Sequence, residues 1–270
     1  MTTISSSRPA RLRPARPRYR WARVLAALVI REMATRFGRS AGGYLWAILE
    51  PLGGILLLSI AFSLALRTPP LGTSFILFYA SGIIPFTMYN AMARSVATAI
   101  SSNRGLMGYP VVTALDAVIA KFALTFLTTL LTSTILATGI ILFFRLHVIL
   151  DPGALSAAFC LAALLGLGVG TMNCVLFGLY PTWKNVWSVV TRPLFILSGV
   201  LFLFESAPPR FQAALWWNPI THVVSLMRSG FYGSYDPHFV SYPYVIAFGL
   251  TLFVVGAYLL RRHTRLLLDQ

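Results

Sequence analysis

Residues 154–180 read ALSAAFCLAALLGLGVGTMNCVLFGLY, twenty-seven positions without a charged side chain. As a helix this run would be about 40 Å long, enough to cross the ~30 Å hydrocarbon core of a bilayer. A helix is the form such a run must take there, because lipid offers no partner to an open backbone N–H or C=O. Gly166, Gly168 and Gly170 fall in its middle. They do not make a nucleotide loop, since no Lys-Ser or Lys-Thr follows them. Gly166-x-x-x-Gly170 instead predicts close packing against another helix through a small face.

Moving outward, five more apolar stretches flank this one: 45–66, 71–93, 122–144, 186–204 and 243–260. Together they predict an all-α polytopic membrane protein with six transmembrane helices. The stretch 186–204 is the weakest of them, because it holds Arg192 and Pro193. A further stretch, 211–233, is interrupted by Asn218, Pro219, His222 and Arg228. It reads as short helices before the last span that dip into the outer leaflet without crossing, shielded by protein. Composition agrees: 57% of residues are hydrophobic and 11% charged, against roughly 25% charged in soluble domains. The mean hydropathy is +0.75.

The net charge of +15 is unevenly spread. Ten of the 22 basic residues are arginines before residue 46. Basic clusters serve nucleic-acid binding in other chains, but beside apolar spans they are held in the cytoplasm by the positive-inside rule. With six spans and both termini cytoplasmic, 18 of the 22 lie inside, leaving Arg67, Arg145, Arg210 and Arg228 outside. Residues 1–17 are Ser-, Pro- and Arg-rich and read as a disordered basic tail. Residues 18–38 put arginines on one stripe and Trp21, Val24, Leu25, Leu28 and Met33 largely on another. This is the pattern of an amphipathic helix lying at the membrane surface. Residues 39–270 then form the transmembrane domain.

Catalytic equipment is sparse. The seven acids are Glu32, Glu50, Asp116, Asp151, Glu205, Asp236 and Asp269, with none paired at short spacing. The four histidines share no metal-ligand spacing. Cys160 and Cys174 lie 14 residues apart on one segment, about 21 Å along a helix, beyond disulfide reach. There is no Walker A sequence, so any ATP driving this chain, with its Mg, binds elsewhere. No ionisable residue sits near the centre of the second, third, fourth or sixth span, which argues against proton- or ion-coupled transport.

Four features carry the functional reading. Residues 101–116 read SSNRGLMGYPVVTALD. Gly105, Gly108 and Pro110 break the helix, and Thr113-x-x-Asp116 restarts it as a capping box. Between them, Asn103, Arg104, Gly105, Leu106 and Met107 form a short cytoplasmic knob, either a docking element for a partner or a plain turn. Glu50-Pro51 opens the first span, with Trp46 one turn before; the carboxylate either sits at headgroup level or serves a function within the membrane. The threonines of the third span (125, 128, 129, 132, 134 and 138) either line a polar path or bond to neighbouring helices and their own backbone, the second being favoured. Aromatics near the interfaces, Trp183, Trp187, Trp216 and Trp217, fit an ordinary belt. Phe86, Tyr89, Phe202 and Phe204 would suit either a belt or a conduit.

Arg31-Glu32, Thr35-Arg36-Phe37-Gly38-Arg39-Ser40, Gly43-Tyr44-Leu45-Trp46-Ala47 and Glu50-Pro51 together resemble the opening of ABC-2 type transporter permeases, most closely those exporting capsular polysaccharide. The 103–110 loop and Trp217-Asn218-Pro219-Ile220-Thr221-His222 are similar to the same family. The resemblance implies an inner-membrane homodimer bound to two cytoplasmic ATPase subunits. It implies a lipid-linked polysaccharide moving between the permeases, then through a periplasmic adaptor and an outer-membrane exit protein. It makes 18–38 the interface helix, Asn103 to Met107 part of the coupling helix, and 211–233 the re-entrant helices. Trp46, Phe86, Tyr89, Phe202, Phe204, Trp216 and Trp217 become candidates for the translocation path. Arg31, Arg36 and Arg39 become candidates for drawing a lipid phosphate to the entrance. Alternatives are a permease for O-antigen, teichoic acid or a small drug, a membrane-embedded transferase, and a passive channel.

Overall fold

A computed structural model of the chain describes residues 20–37, 42–107 and 112–269. The expected basic tail, 1–17, lies outside the described residues. Those residues form helices and no strand: α1 (Arg20–Phe37), α2 (Gly42–Ala65), α3 (Phe75–Ala97), α4 (Ala99–Asn103), α5 (Ala114–Phe143), α6 (Pro152–Leu179), α7 (Trp183–Leu197), α8 (Pro209–Trp216), α9 (Pro219–Phe231) and α10 (Tyr242–Asp269). Two 3-10 turns, Arg104–Leu106 and Phe204–Ser206, complete the chain order.

Five helical segments are long and apolar enough to cross a membrane: Leu45–Ala65, Phe75–Ala97, Ala114–Phe143, Pro152–Leu179 and Tyr242–Thr264. In α3 and α6, 72% and 61% of the most apolar window is buried, against 11%, 17% and 22% in α2, α5 and α10. So α3 and α6 form the centre of the bundle, and the other three keep most apolar side chains outward, as lipid allows.

The expected close helix contact is present twice over. A Cβ at Gly166 would lie 2.5 Å from Met92 Cβ, and one at Gly170 would lie 2.7 Å from Val96 Cβ and 3.0 Å from Ala93 O. These glycines let α6 touch the backbone of α3. On another face of α6, Gly168 meets Gly249 of α10, and a Cβ at Gly256 would lie 2.9 Å from Met172 N. Close approach of small faces is how helices associate without a hydrophobic drive between them.

The stretch 186–204 is not one unbroken helix. α7 has 15 residues, about 22 Å, and stops at Leu197. Gly199 then takes φ +74, and the chain runs irregularly to Leu203. The carbonyls freed by this break find donors on α9. Asn218 Nδ2 and Thr221 Oγ1 donate to Leu197 O at 3.1 and 3.2 Å. Arg228 is fully buried and donates to Val200 O and Phe202 O, both at 2.9 Å. Its guanidinium also lies 4.3 Å over the Phe78 ring. A buried guanidinium needs acceptors, and a broken helix in an apolar setting needs donors; the two Nη atoms meet the two carbonyls, while Nε is left without a partner among the described residues.

The interrupted stretch 211–233 is two short helices, α8 and α9, as its breaks predict. Asn218 accepts from Ile220 N at 3.1 Å and caps α9, with Pro219 in the first turn. α5 starts at Ala114, well before residue 122, and runs for 30 residues. Lys121 does not end the apolar helix, because its charge is paired.

Candidate functional site

The site grows from the end of α3. Thr98 closes that helix, and the chain turns through α4 into the Arg104–Leu106 turn. Asn103 is buried; its Nδ2 donates to Ala99 O at 3.0 Å and its Oδ1 accepts from Arg31 Nη1 at 2.9 Å. Arg104 Nη2 donates to Leu267 O of α10 at 3.4 Å. Met107 packs against a cluster built from Val96, Ala99, Val118, Val175 and Leu260. It therefore faces the bundle instead of solvent. Gly105 is exposed, with open space around it, and Leu106 completes the turn. Residues 108–111 lie outside the described residues.

α1 is fastened to this end of the bundle by two further contacts. Glu32 Oε1 and Lys121 Nζ form an ion pair at 3.0 Å, with side chains 16% and 8% exposed. Trp21 Nε1 donates to Asp116 Oδ1 at 2.9 Å. Asp116 Oδ2 accepts from Thr113 N at 2.9 Å, and Thr113 Oγ1 accepts from Asp116 N at 3.2 Å, the expected capping box. Lys121 Nζ also donates to Thr98 Oγ1 at 3.3 Å. A single hydrogen-bonded chain thus links α1, α5 and the α3–α4 junction. Trp21, Glu32, Asp116 and Lys121 have no visible connection in the sequence, where the hydrogen-bonded pairs Trp21–Asp116 and Arg31–Asn103 are 95 and 72 positions apart.

Of the arginines proposed for the entrance, Arg31 holds Asn103. Arg36 has only its backbone place in α1 described, and Arg39 lies outside the described residues.

Two cavities open beside the same helix ends. One, of about 500 Å³, lies between α2, α3, α5 and α7 and is lined by Glu50, Thr128, Thr129 and Thr132 among others. The second, of about 700 Å³, lies between α3, α6 and α7. They share Phe86, Asn90, Arg94 and Phe195. The threonine face bonds to its own helix and also borders a cavity. Thr128 and Thr129 donate to Leu124 O and Thr125 O at 2.8 and 2.7 Å, yet both line the first cavity.

The seven candidate aromatics do not form one lining. Phe86 borders both cavities and meets Phe195 edge-on at 5.0 Å. Tyr89 is buried on α3, and Trp46 is exposed on α2. The rest gather around α8, α9 and the start of α10. Phe204 stacks on Phe239 at 3.8 Å, Trp216 on Tyr244 at 5.1 Å, and Trp217 stands at right angles to Trp216. Phe202 supplies a carbonyl to Arg228. His222 Nε2 donates to Trp216 O at 2.8 Å, while its Nδ1 accepts from Ser241 N at 3.3 Å. Only the neutral ring does both, and burial pushes its pKa down in the same sense. Among the described residues no cluster of three or more His, Cys, Asp or Glu would hold a metal ion.

The family of ABC-2 type transporters matches residues 23–232. The chain belongs to the ABC-2 type transporter family. The match runs from α1 through α9, so the 99–107 turn, both cavities and the α7 break are parts of an ABC-2 type transporter chain. Among individual relatives, the polysialic acid transport protein KpsM of Escherichia coli is 33% identical over 236 residues, 87% of this chain and 91% of KpsM. The capsule polysaccharide export inner-membrane protein CtrC of Neisseria meningitidis serogroup B is 27% identical over 87% of this chain and 88% of its own. The capsule polysaccharide export inner-membrane protein BexB of Haemophilus influenzae is 22% identical over 90% and 92%.

Proposed function

We propose that this chain is the transmembrane subunit of an ATP-driven exporter that moves lipid-linked capsular polysaccharide across the bacterial inner membrane. The observation that carries this is the similarity to KpsM over nearly the whole of both chains, joined to the family match. The chain is a permease and not an enzyme. ATP and Mg belong to two cytoplasmic ATPase subunits that dock on a homodimer of this chain. Residues 103–107 are the docking element, held by α1 through Asn103 and by α10 through Arg104. A periplasmic adaptor and an outer-membrane exit protein continue the path.

The topology has six crossings with both termini cytoplasmic. α7 and the irregular residues 198–203 together make the fifth, and α8 and α9 dip into the outer leaflet without crossing. Charge supports this sidedness: Arg94, Arg104, Lys121, Lys184, Arg192 and Arg261 all gather at the end of the bundle that carries α1, where the positive-inside rule places cations. The exposed Trp21, Ile30 and Met33 of α1 then lie against the headgroups.

The test is to express the chain in a capsule-producing strain lacking its own permease, with and without a Walker-containing ATPase. Export should return only with both, and the ATPase should co-purify with the solubilised chain. Nucleotide hydrolysis by the chain alone, or export without the ATPase, refutes the reading.

A further inference from the structure

The cavity between α3, α6 and α7 gathers three cations, Arg94, Lys184 and Arg192, and no carboxylate among its described lining residues. None of the three charged side chains has a hydrogen-bond or ion-pair partner among the described residues. Lys184, Trp187, Thr191 and Arg192 follow the spacing of one α7 face. Glu50 lines the neighbouring cavity that shares Arg94, yet no ion pair joins the two among the described residues, and Glu32, near the lining residue Thr98, is already paired with Lys121. Like charges gathered at the end of an apolar bundle repel one another, and they favour a bound anion that neutralises them.

The rest of the wall is apolar or neutral. Phe86, Trp187 and Asn90 line it with the cations, and beside it α7 leaves Val189, Val190 and Ile196 exposed. Cations next to exposed apolar helix faces fit a ligand with an anionic head and a hydrocarbon tail. At its edge stands Thr98, whose hydroxyl accepts from Lys121, the partner of Glu32 on α1. The ligand site and the docking turn therefore share one bonded network.

We infer that this pocket binds the phosphate headgroup of an anionic lipid, with the phosphate among Arg94, Lys184 and Arg192. That the lipid carries the exported glycan rests on the function proposed above; the anion site itself does not. The test uses native mass spectrometry of the purified full chain in nonionic detergent. Phosphatidylglycerol and phosphatidylcholine with identical acyl chains are the probes.

The wild type should retain phosphatidylglycerol in preference. Arg94→Gln/Lys184→Gln/Arg192→Gln should lower that preference about tenfold or more, while Arg210→Gln, at the other end of the bundle, leaves it unchanged. Should the triple variant melt early, Lys184→Gln and Arg192→Gln singly carry the comparison, since both side chains are exposed. Equal preference in wild type and variants overturns the site. Displacement of the lipid by millimolar sodium phosphate assigns the pocket to the free anion and overturns the lipid assignment. A chain that binds phosphatidylglycerol here but does not restore capsule export keeps the site and loses the exporter reading.

Discussion

Lys121 and Glu32 show how a charge is kept within an apolar bundle. The attraction in so covered a pair roughly offsets the cost of dehydrating it, so the penalty appears when one partner is removed. Lys121→Met leaves Glu32 unpaired and mostly covered, and should cost about 3 kcal/mol. The double variant Glu32→Gln/Lys121→Met should recover most of that. A thermal-unfolding cycle in detergent measures this; strictly additive single effects would mean the two side chains are not coupled. His222 gives a second residue-level prediction. Its folded pKa lies below the unfolded value of about 6.5. Stability from the neutral ring is therefore complete above about pH 6.5 and is lost as pH falls towards the folded pKa. The melting temperature should drop between about pH 7 and pH 5, and His222→Gln, which keeps a donor towards Trp216 O, should flatten that slope relative to wild type.

At the scale of elements, the glycines separate by what they touch. Gly170→Ala drives a methyl into Val96 and the Ala93 carbonyl and should destabilise the chain by about 1–3 kcal/mol. Gly139→Ala, with nothing within 4 Å of the new Cβ, should be neutral or gain up to about 1 kcal/mol from helix propensity. Identical melting of the two variants would remove the case for α6–α3 contact through Gly170.

This contact was legible in the sequence, because its spacing repeats within one helix. So were the Thr113–Asp116 cap and the break at Asn218-Pro219, since local signals write local structure. The α7 break was not: Pro193 sits inside the helix and the chain leaves it at Gly199. What holds the irregular stretch is Arg228, some thirty positions on, and only the folded arrangement brings the two together.

At the scale of the molecule, hydropathy located the five long apolar helices but could not say which of them lie at the centre. The apolarity of α2 and α6 is alike, yet α6 is largely buried and α2 largely bare. Packing partners set that difference, and they lie outside each segment. The groove shows the same limit. Phe86 was a candidate from its residue type, but Phe195, Asn90 and Trp187 join it only because α3 and α7 face each other across the cavities. The charges at 94, 184 and 192 entered the topology count one by one, and their gathering in one pocket is a property of the fold.

The length of α5 has a mechanical consequence. Its 30 residues make a rod about 45 Å long, half again the ~30 Å thickness of the oil it stands in. The surplus forms a stub, and α1 is bolted to that stub at Asp116 and Lys121. Any force that tips α1 must swing the whole rod. A nudge applied on one side of the membrane is thereby delivered to the other along a single unbroken strut, with no stretch of chain unwinding between.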